Sequence, residues 1–194
     1  MTAIDFLGFG SSRCLTKAFS VGDYAMWTAG VFKALGIEKP LVLAHSFGCR
    51  VAIKMAGEGV YDFERILLTG PAGIILKRGF SYKCRVQAYR ICKKFFPSFA
   101  EKRFGSAEYR TLSPIMKESY KKIVNEDLRE VAKKVPCPVL VVEGEADRVT
   151  TRKEAEIYVA ALHGGALKMI EGGHFAFAEN PAAFNLIAEE FFYG

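Results

Sequence analysis

The sequence predicts an α/β fold in which a mostly parallel sheet is covered by helices on both faces. Short apolar runs of strand length alternate along the chain with segments of helical periodicity, a pattern typical of parallel sheets. The runs are almost wholly apolar, as expected for strands buried on both faces. With 194 residues, 51% of them hydrophobic and 25% charged, the chain fits a single domain over residues 1–194.

The N-terminal part is predicted to hold a short strand, a turn and a helix. Thr2–Phe6 has the character of a short strand, and the glycine-containing stretch after it must turn. Ser20, with Asp23 three residues later, has the form of a capping box that starts a helix. Gly36 is a typical residue after a helix end. Between these signals, apolar residues at helical spacing predict a buried stripe: Tyr24, Trp27, Val31, Phe32 and Leu35.

The stretch from Leu41 to Ile53 is the one around which the rest of the chain is organised. An apolar strand turns sharply at Ser46 and leads directly into a helix that runs to about Gly57. Small residues stand two positions before and two positions after the serine, so the backbone can double back closely there. A serine on such a strained turn exposes its hydroxyl near the N–H groups that open the helix. The pattern predicts a nucleophile elbow, whose geometry suits attack on a carbonyl.

Three more strands are predicted after the elbow, over Phe63–Thr69, Val139–Glu143 and Ala166–Ile170. Helices are predicted from about Arg152 to Leu162 and from Pro181 to Phe192, since proline is allowed at the first helical position.

Residues from about 73 to 135 contain no convincing strand and several amphipathic helical patterns rich in Tyr and Phe. They are predicted to form a helical lid inserted in the domain, with aromatic side chains lining an apolar pocket above Ser46. The net charge of +6 is concentrated here, because Lys77 to Lys134 holds 16 basic and 6 acidic residues. The basic residues are spread over helical patterns, which favours a solvated helical face. Salt-dependent binding to nucleic acid or an anionic membrane is the less favoured alternative.

Composition argues against several other classes. No apolar run approaches the roughly 18 residues of a membrane span. The N-terminus lacks the basic start and apolar stretch of a signal peptide, so we expect a cytoplasmic protein. Five cysteines without a C-x-x-C arrangement argue against a disulfide framework or a zinc site. Gly8 and Gly10 are not followed by the spacing of a nucleotide-binding loop, so a dinucleotide-binding site is disfavoured.

Three residues that could carry chemistry follow successive predicted strands: Ser46, Asp147 and His174. Open α/β sheets place their chemistry at the carboxyl ends of the strands, so these side chains are expected to meet there. Their order along the chain is nucleophile, acid and base.

Other candidates for the acid and the base are weaker. His45 adjoins the serine in sequence and would point away from it across the turn, and His163 precedes two glycines that indicate a helix end. Glu143 lies within its strand and Glu145 only partway round the following loop, so Asp147 is the better acid.

These residues give the sequence a resemblance to the α/β-hydrolase superfamily. The resemblance rests on Ala44-His45-Ser46-Phe47-Gly48, Gly144-Glu145-Ala146-Asp147, Gly173-His174-Phe175 and a D-x-x-G-x-G-x-S loop over Asp5–Ser12. It implies a serine hydrolase for a small apolar acyl substrate, such as a carboxylic ester, without metal or cofactor. His174 would take the proton of Ser46, Asp147 would orient the imidazole, and the Phe47 backbone N–H would be an oxyanion donor.

The sequence departs from this superfamily at its N-terminus. Members carry further strands before the Asp5 loop, and a His-Gly-type loop among them supplies a second oxyanion donor. Nothing comparable precedes Met1, so an N-terminally truncated fold is expected. Because the loss of one oxyanion donor costs on the order of a hundred- to a thousand-fold in turnover, a catalytically impaired hydrolase-fold protein that binds a ligand or partner is the alternative. The edge of Leu41–Ala44 would be covered either by a shifted Thr2–Phe6 strand or by a second copy of the chain in a homodimer.

Overall fold

Four parallel strands form one sheet in the computed structural model, which describes residues 1–76, 109 and 111–194. The strands, adjacent in chain order, are β1 (Leu41–His45), β2 (Arg65–Thr69), β3 (Val139–Gly144) and β4 (Ala166–Ile170). The predicted α/β class with a parallel sheet is confirmed. The pairing register aligns the strands so that their carboxyl ends lie along one edge of the sheet.

The described helices flank this sheet. They are α1 (Val21–Ala34), α2 (Phe47–Gly57), α3 (Pro114–Val124), α4 (Arg129–Ala132), α5 (Arg152–Ala161), α6 (Ala176–Glu179) and α7 (Pro181–Tyr193). The capping box predicted for α1 is present, since the Asp23 N–H donates to Ser20 Oγ at 3.1 Å and the Ser20 N–H donates to the Asp23 carboxylate at 2.7 Å. None of the described helices combines the length and apolar character needed to cross a membrane.

Apolar side chains pack into separate clusters on the two faces of the sheet. Val139 and Val141 belong to the cluster beneath α1, α2 and α5, whereas Leu140 and Val142 pack with α6 and α7. Successive residues of a strand point to opposite faces, so β3 has to be apolar at nearly every position. This explains why Val139–Val142 is a continuous apolar run in the sequence.

Thr2–Phe6 is not a strand, contrary to the prediction from the sequence. The Asp5 carboxylate instead accepts the Ser11 N–H at 2.9 Å, and the Asp5 carbonyl accepts the Ser12 hydroxyl at 2.6 Å. These bonds fold the segment into a loop, which leaves its backbone unavailable for pairing with β1. The shifted-strand solution for the β1 edge is therefore wrong, and coverage of that edge by a second chain stays a prediction.

The buried face of α1 is shorter than its apolar pattern predicts. Val21 and Tyr24 are fully buried, but Leu35 lies beyond the last helical residue and is 57% exposed. Val31 and Phe32 are partly buried. The helix begins to leave the core at its C-terminal end, which periodicity alone does not reveal.

The two ends of the predicted lid are fixed to the elbow helix and to each other. Arg50 of α2 is buried and donates to the carbonyls of Ile123 and Glu126, at 2.9 and 2.8 Å, at the C-terminal end of α3. The Asp127 carboxylate accepts the Ile75 N–H at 2.8 Å. Residues 77–108 and 110 of the predicted lid lie outside the described residues. The expectation that aromatic side chains in this segment line a pocket above Ser46 therefore stays a prediction.

Candidate active site

Ser46 occupies the sharp turn between β1 and α2. Its backbone has φ 47° and ψ −108°, a left-handed conformation that is strained for any residue other than glycine. The turn is held in place by its N–H, which donates to the Thr69 carbonyl of β2 at 3.1 Å. A methyl group built on Gly48 would lie 3.7 Å from the Ala44 Cβ, an ordinary contact. The alanine at position 44 is therefore accommodated beneath the turn.

The structure brings the three predicted site residues into one hydrogen-bonded chain. His174 Nε2 lies 3.1 Å from Ser46 Oγ, and His174 Nδ1 lies 2.8 Å from Asp147 Oδ2. The Asp147 side chain is fully enclosed, while that of His174 is 12% exposed. Because the carboxylate only accepts, His174 Nδ1 carries the proton, which leaves Nε2 free to accept the serine proton.

The loops after β3 and β4 lie against each other, which sets the distance between Asp147 and His174. The Glu145 N–H donates to the Ile170 carbonyl and the Ala146 N–H to the Gly172 carbonyl, both at 2.9 Å. Gly144 allows this approach, since a Cβ there would lie 2.2 Å from the Gly173 carbonyl oxygen.

Asp147 is surrounded by hydrogen-bond donors. Its Oδ1 accepts the N–H groups of Val149 and Thr150 at 2.7 and 3.1 Å, and its Oδ2 accepts the Thr150 hydroxyl at 2.9 Å. Burial alone would raise the pKa of Asp147, but the hydrogen bonds from His174 and these neighbours outweigh burial and lower the pKa. The carboxylate is therefore ionised at neutral pH and can stabilise a positively charged imidazole.

His45 lies closer to the site than the sequence suggested. Its ring packs against the His174 ring, with centroids 4.7 Å apart, and its Nδ1 donates to the Thr69 carbonyl at 3.1 Å. Burial and the neighbouring His174 charge both lower the pKa of His45, so the ring is neutral at pH 7. The end of β1 thus places the His45 ring beside the His174 ring, while the expectation that His45 points away from Ser46 stays a prediction.

The backbone N–H of Phe47 is the predicted oxyanion donor. Phe47 is the first residue of α2, so this N–H has no partner within the helix. The Phe47 ring packs against Phe6, Phe9 and Tyr24, with centroids 5.1 to 5.8 Å away. These contacts hold the start of α2 beside Ser46.

Two of the weaker candidates, His163 and Glu145, lie outside this hydrogen-bonded chain. His163 is exposed after the end of α5, and Glu145 is exposed in the acid loop. Glu143 is buried within β3. Within the described ranges, no group of three or more His, Cys, Asp or Glu side chains could hold a metal ion.

Comparison with known proteins identifies the family. Residues 2–185 match the alpha/beta hydrolase family. The chain belongs to this family. An uncharacterised protein of Mycobacterium tuberculosis is 24% identical over 227 residues, a match that covers 97% of this chain and 66% of the relative. The chain thus spans just under two thirds of the length of that curated relative.

Several solved structures have the same fold as this chain. A hydrolase from Pseudomonas aeruginosa superposes with a TM-score of 0.72 at 20% identity, over 98% of this chain and 78% of its own. An esterase from Exiguobacterium antarcticum gives 0.70 at 21% identity, over 96% and 79%. An enol-lactonase from Burkholderia xenovorans gives 0.72 at 20% identity, over 98% and 79%. At these identities the likeness establishes the fold.

Two contacts at the site were not predicted from the sequence: the hydrogen bond of Thr150 to Asp147 and the ring contact of His45 with His174. Thr150 follows Asp147 by three residues, a spacing at which a hydroxyl can return to a turn carboxylate, and this signal could have identified it. Nothing in the sequence indicates that the His45 ring contacts the His174 ring, because that contact joins the end of β1 to the loop after β4, 129 positions apart in the chain.

Proposed function

We propose that the protein is a serine hydrolase that cleaves carboxylic esters or related acyl compounds. The observation that carries this proposal is the continuous hydrogen-bonded chain from Ser46 Oγ through His174 to Asp147, which begins on a strained strand-to-helix turn. A weakly nucleophilic hydroxyl needs an adjacent base, and the base needs a group that orients it. All three roles have a side chain at hydrogen-bond distance.

Each residue has one role in the proposed reaction. His174 Nε2 accepts the proton of Ser46 Oγ as the oxygen attacks the acyl carbonyl, and the Phe47 N–H donates to the oxyanion that forms. The imidazolium then donates its proton to the leaving alcohol oxygen, which leaves an acyl group on Ser46. Water then attacks the acyl carbonyl while His174 Nε2 takes a proton from it. The bond between the acyl carbon and Ser46 Oγ breaks, the imidazolium returns the proton to Ser46 Oγ, and the carboxylic acid product is released. Asp147 stays ionised and stabilises the imidazolium in both halves.

Exposed apolar side chains beside the site support an apolar acyl substrate. Phe175, directly after His174, is 54% exposed, and Val149 in the acid loop is 68% exposed. Large apolar side chains at the rim of a polar site are typical of a surface that binds an apolar group. The esterase and the enol-lactonase among the similar structures agree with this substrate class.

Labelling with a fluorophosphonate probe tests the proposal directly. Folded protein should gain one adduct by intact mass, and peptide mapping should place it on Ser46. The Ser46→Ala variant should gain none. Ser11→Ala is the matched control, because Ser11 is exposed on the Asp5 loop, and it should label like the unmodified chain. Folded protein that takes no adduct at Ser46 would favour the alternative, a catalytically impaired hydrolase-fold protein that binds a ligand or partner.

The Thr150 hydroxyl is expected to hold the Asp147 carboxylate in position for His174. Thr150→Val removes the hydroxyl that donates to Asp147 Oδ2 but keeps the shape of the buried side chain. A hydrogen bond to a charged group contributes about 1.5–3 kcal/mol, so kcat/KM for an activated ester should fall roughly tenfold or more. Thr150→Ser keeps the hydroxyl and is the control. Equal rates for the valine and serine variants would show that the hydroxyl has no such role.

A further inference from the structure

Glu143 is a buried acid to which the proposed reaction gives no role. It is the fifth residue of β3 and is fully buried. Neither of its carboxyl oxygens has a hydrogen-bond partner among the described side chains and backbone groups. An unpaired charge at such a position is strongly unfavourable, and buried polar groups in native proteins nearly always have a partner. The protonation state of Glu143 therefore decides whether this buried carboxyl is charged and whether it can donate a hydrogen bond.

Two carboxyl groups near Glu143 disfavour a negative charge on it: Asp147 in the loop after β3 and Glu154 at the start of α5. The buried Cys49 thiol of α2 is also nearby, but it is neutral at pH 7 because burial raises its pKa. Burial, followed by the effects of Asp147 and Glu154, raises the pKa of Glu143 to about 9. The carboxyl is therefore protonated at neutral pH.

A proton on Glu143 also gives its carboxyl a partner. Two carboxylates cannot hydrogen-bond to each other, because both are acceptors only. A protonated carboxyl has an O–H that an adjacent carboxylate accepts strongly. Asp147 is placed to be that neighbour, because its N–H donates to the Gly144 carbonyl at 3.1 Å and so turns the loop back onto the end of β3. A side-chain interaction between the two carboxyls agrees with this placement, since it raises the pKa of Glu143 and lowers the pKa of Asp147. The pair thus shares one proton, and Glu143 holds it.

We propose that Glu143 is a positioning residue that donates a hydrogen bond from its carboxyl O–H to Asp147. This proposal rests on the hydrolase function proposed above, because its effect on the reaction passes through Asp147 and His174. The bond adds a donor from β3 to those that the Asp147 carboxylate already has in its own loop. It also withdraws charge from the carboxylate, so Asp147 remains ionised and binds the imidazolium less tightly.

Two variants separate a neutral donor from a charged group. Glu143→Gln is neutral, has nearly the same shape and keeps an N–H donor, so kcat/KM and the acidic limb of its pH–rate profile should match those of the unmodified chain. Glu143→Leu also places an uncharged side chain at this position, but leucine has no hydrogen-bond donor. It should lower kcat/KM about tenfold and move the acidic limb to higher pH, because a less solvated Asp147 holds the imidazolium more strongly.

The opposite protonation state has the opposite signature. If Glu143 were ionised, Glu143→Gln would remove a negative charge near the imidazolium, and the acidic limb would move to lower pH. That shift would overturn the proposal. A folded Glu143→Leu variant with unchanged kcat/KM and an unchanged acidic limb would overturn the proposal as well. That result is expected if Glu143 only fills space in the core.

Infrared spectroscopy supplies a readout that needs no turnover and remains informative if the hydrolase function is wrong. At pH 7 the folded chain should show the C=O stretch of a protonated carboxylic acid, and Glu143→Gln should remove it. Glu145→Gln is the matched control, because Glu145 is exposed two residues further along the chain and should leave the band in place. Absence of the band from the unmodified chain would overturn the proposal, whatever the enzymatic activity.

Discussion

Replacing His174 with alanine is expected to lower kcat for ester hydrolysis by roughly 10⁴- to 10⁶-fold, the range seen when one member of such a group is removed. Without the imidazole, Ser46 Oγ has no acceptor for its proton at 3.1 Å, and the leaving group has no donor. Steady-state kinetics with an activated ester measures the loss. Substrate binding should change far less than kcat, because the imidazole acts chiefly in the transition state.

His163→Ala is the matched control for this experiment. His163 is another histidine of the chain, but it is exposed after α5 and takes no part in the hydrogen-bonded chain. Its removal should leave kcat within about two-fold, as for most exposed side chains away from a site. A large loss in His163→Ala, or activity retained in His174→Ala, would contradict the assignment of His174 as the base.

Replacing Gly144 with alanine is expected to cost several kcal/mol of unfolding free energy and most of the activity. The added Cβ would lie 2.2 Å from the Gly173 carbonyl oxygen and 2.6 Å from that of Gly172. Both atoms belong to the backbone, so no side-chain rotation can relieve the overlap, and overpacking of this kind typically costs about 1–3 kcal/mol or more. The acid loop and the base loop would be forced apart, which would break the contact between Asp147 and His174. Urea denaturation and ester kinetics on the same preparation measure both effects.

Gly30→Ala gives the comparison for Gly144→Ala. Gly30 lies on the exposed side of α1, and nothing stands within 4 Å of a Cβ built there. Alanine at such a helical position should stabilise the protein by roughly 0.5–1 kcal/mol, because glycine is a poor helix former. If Gly144→Ala unfolds at the same urea concentration as the unmodified chain, the close approach of the two loops is not a constraint on the fold.

Local chemistry in the sequence determined most of the secondary structure. The capping box at Ser20, the proline at the first position of α7 and the apolar run of β4 act over a few residues, so each can be read without knowledge of the fold. The strained turn at Ser46 belongs to the same class, because small neighbours and a strand-to-helix transition identify it. These signals also placed Asp147 and His174 after their strands.

Tertiary structure decided everything that depends on contacts between distant segments. Thr2–Phe6 has strand-like residues, yet Asp5 bonds fold it into a loop. His45 packs on His174 because the end of β1 meets the loop after β4 at the sheet edge. From the sequence, Glu143 was a weak candidate for the acid, and only the packing of the whole chain buries its carboxyl and raises its pKa. Hydrogen bonds between neighbouring residues are encoded locally, whereas burial and charge depend on which segments the whole chain packs together.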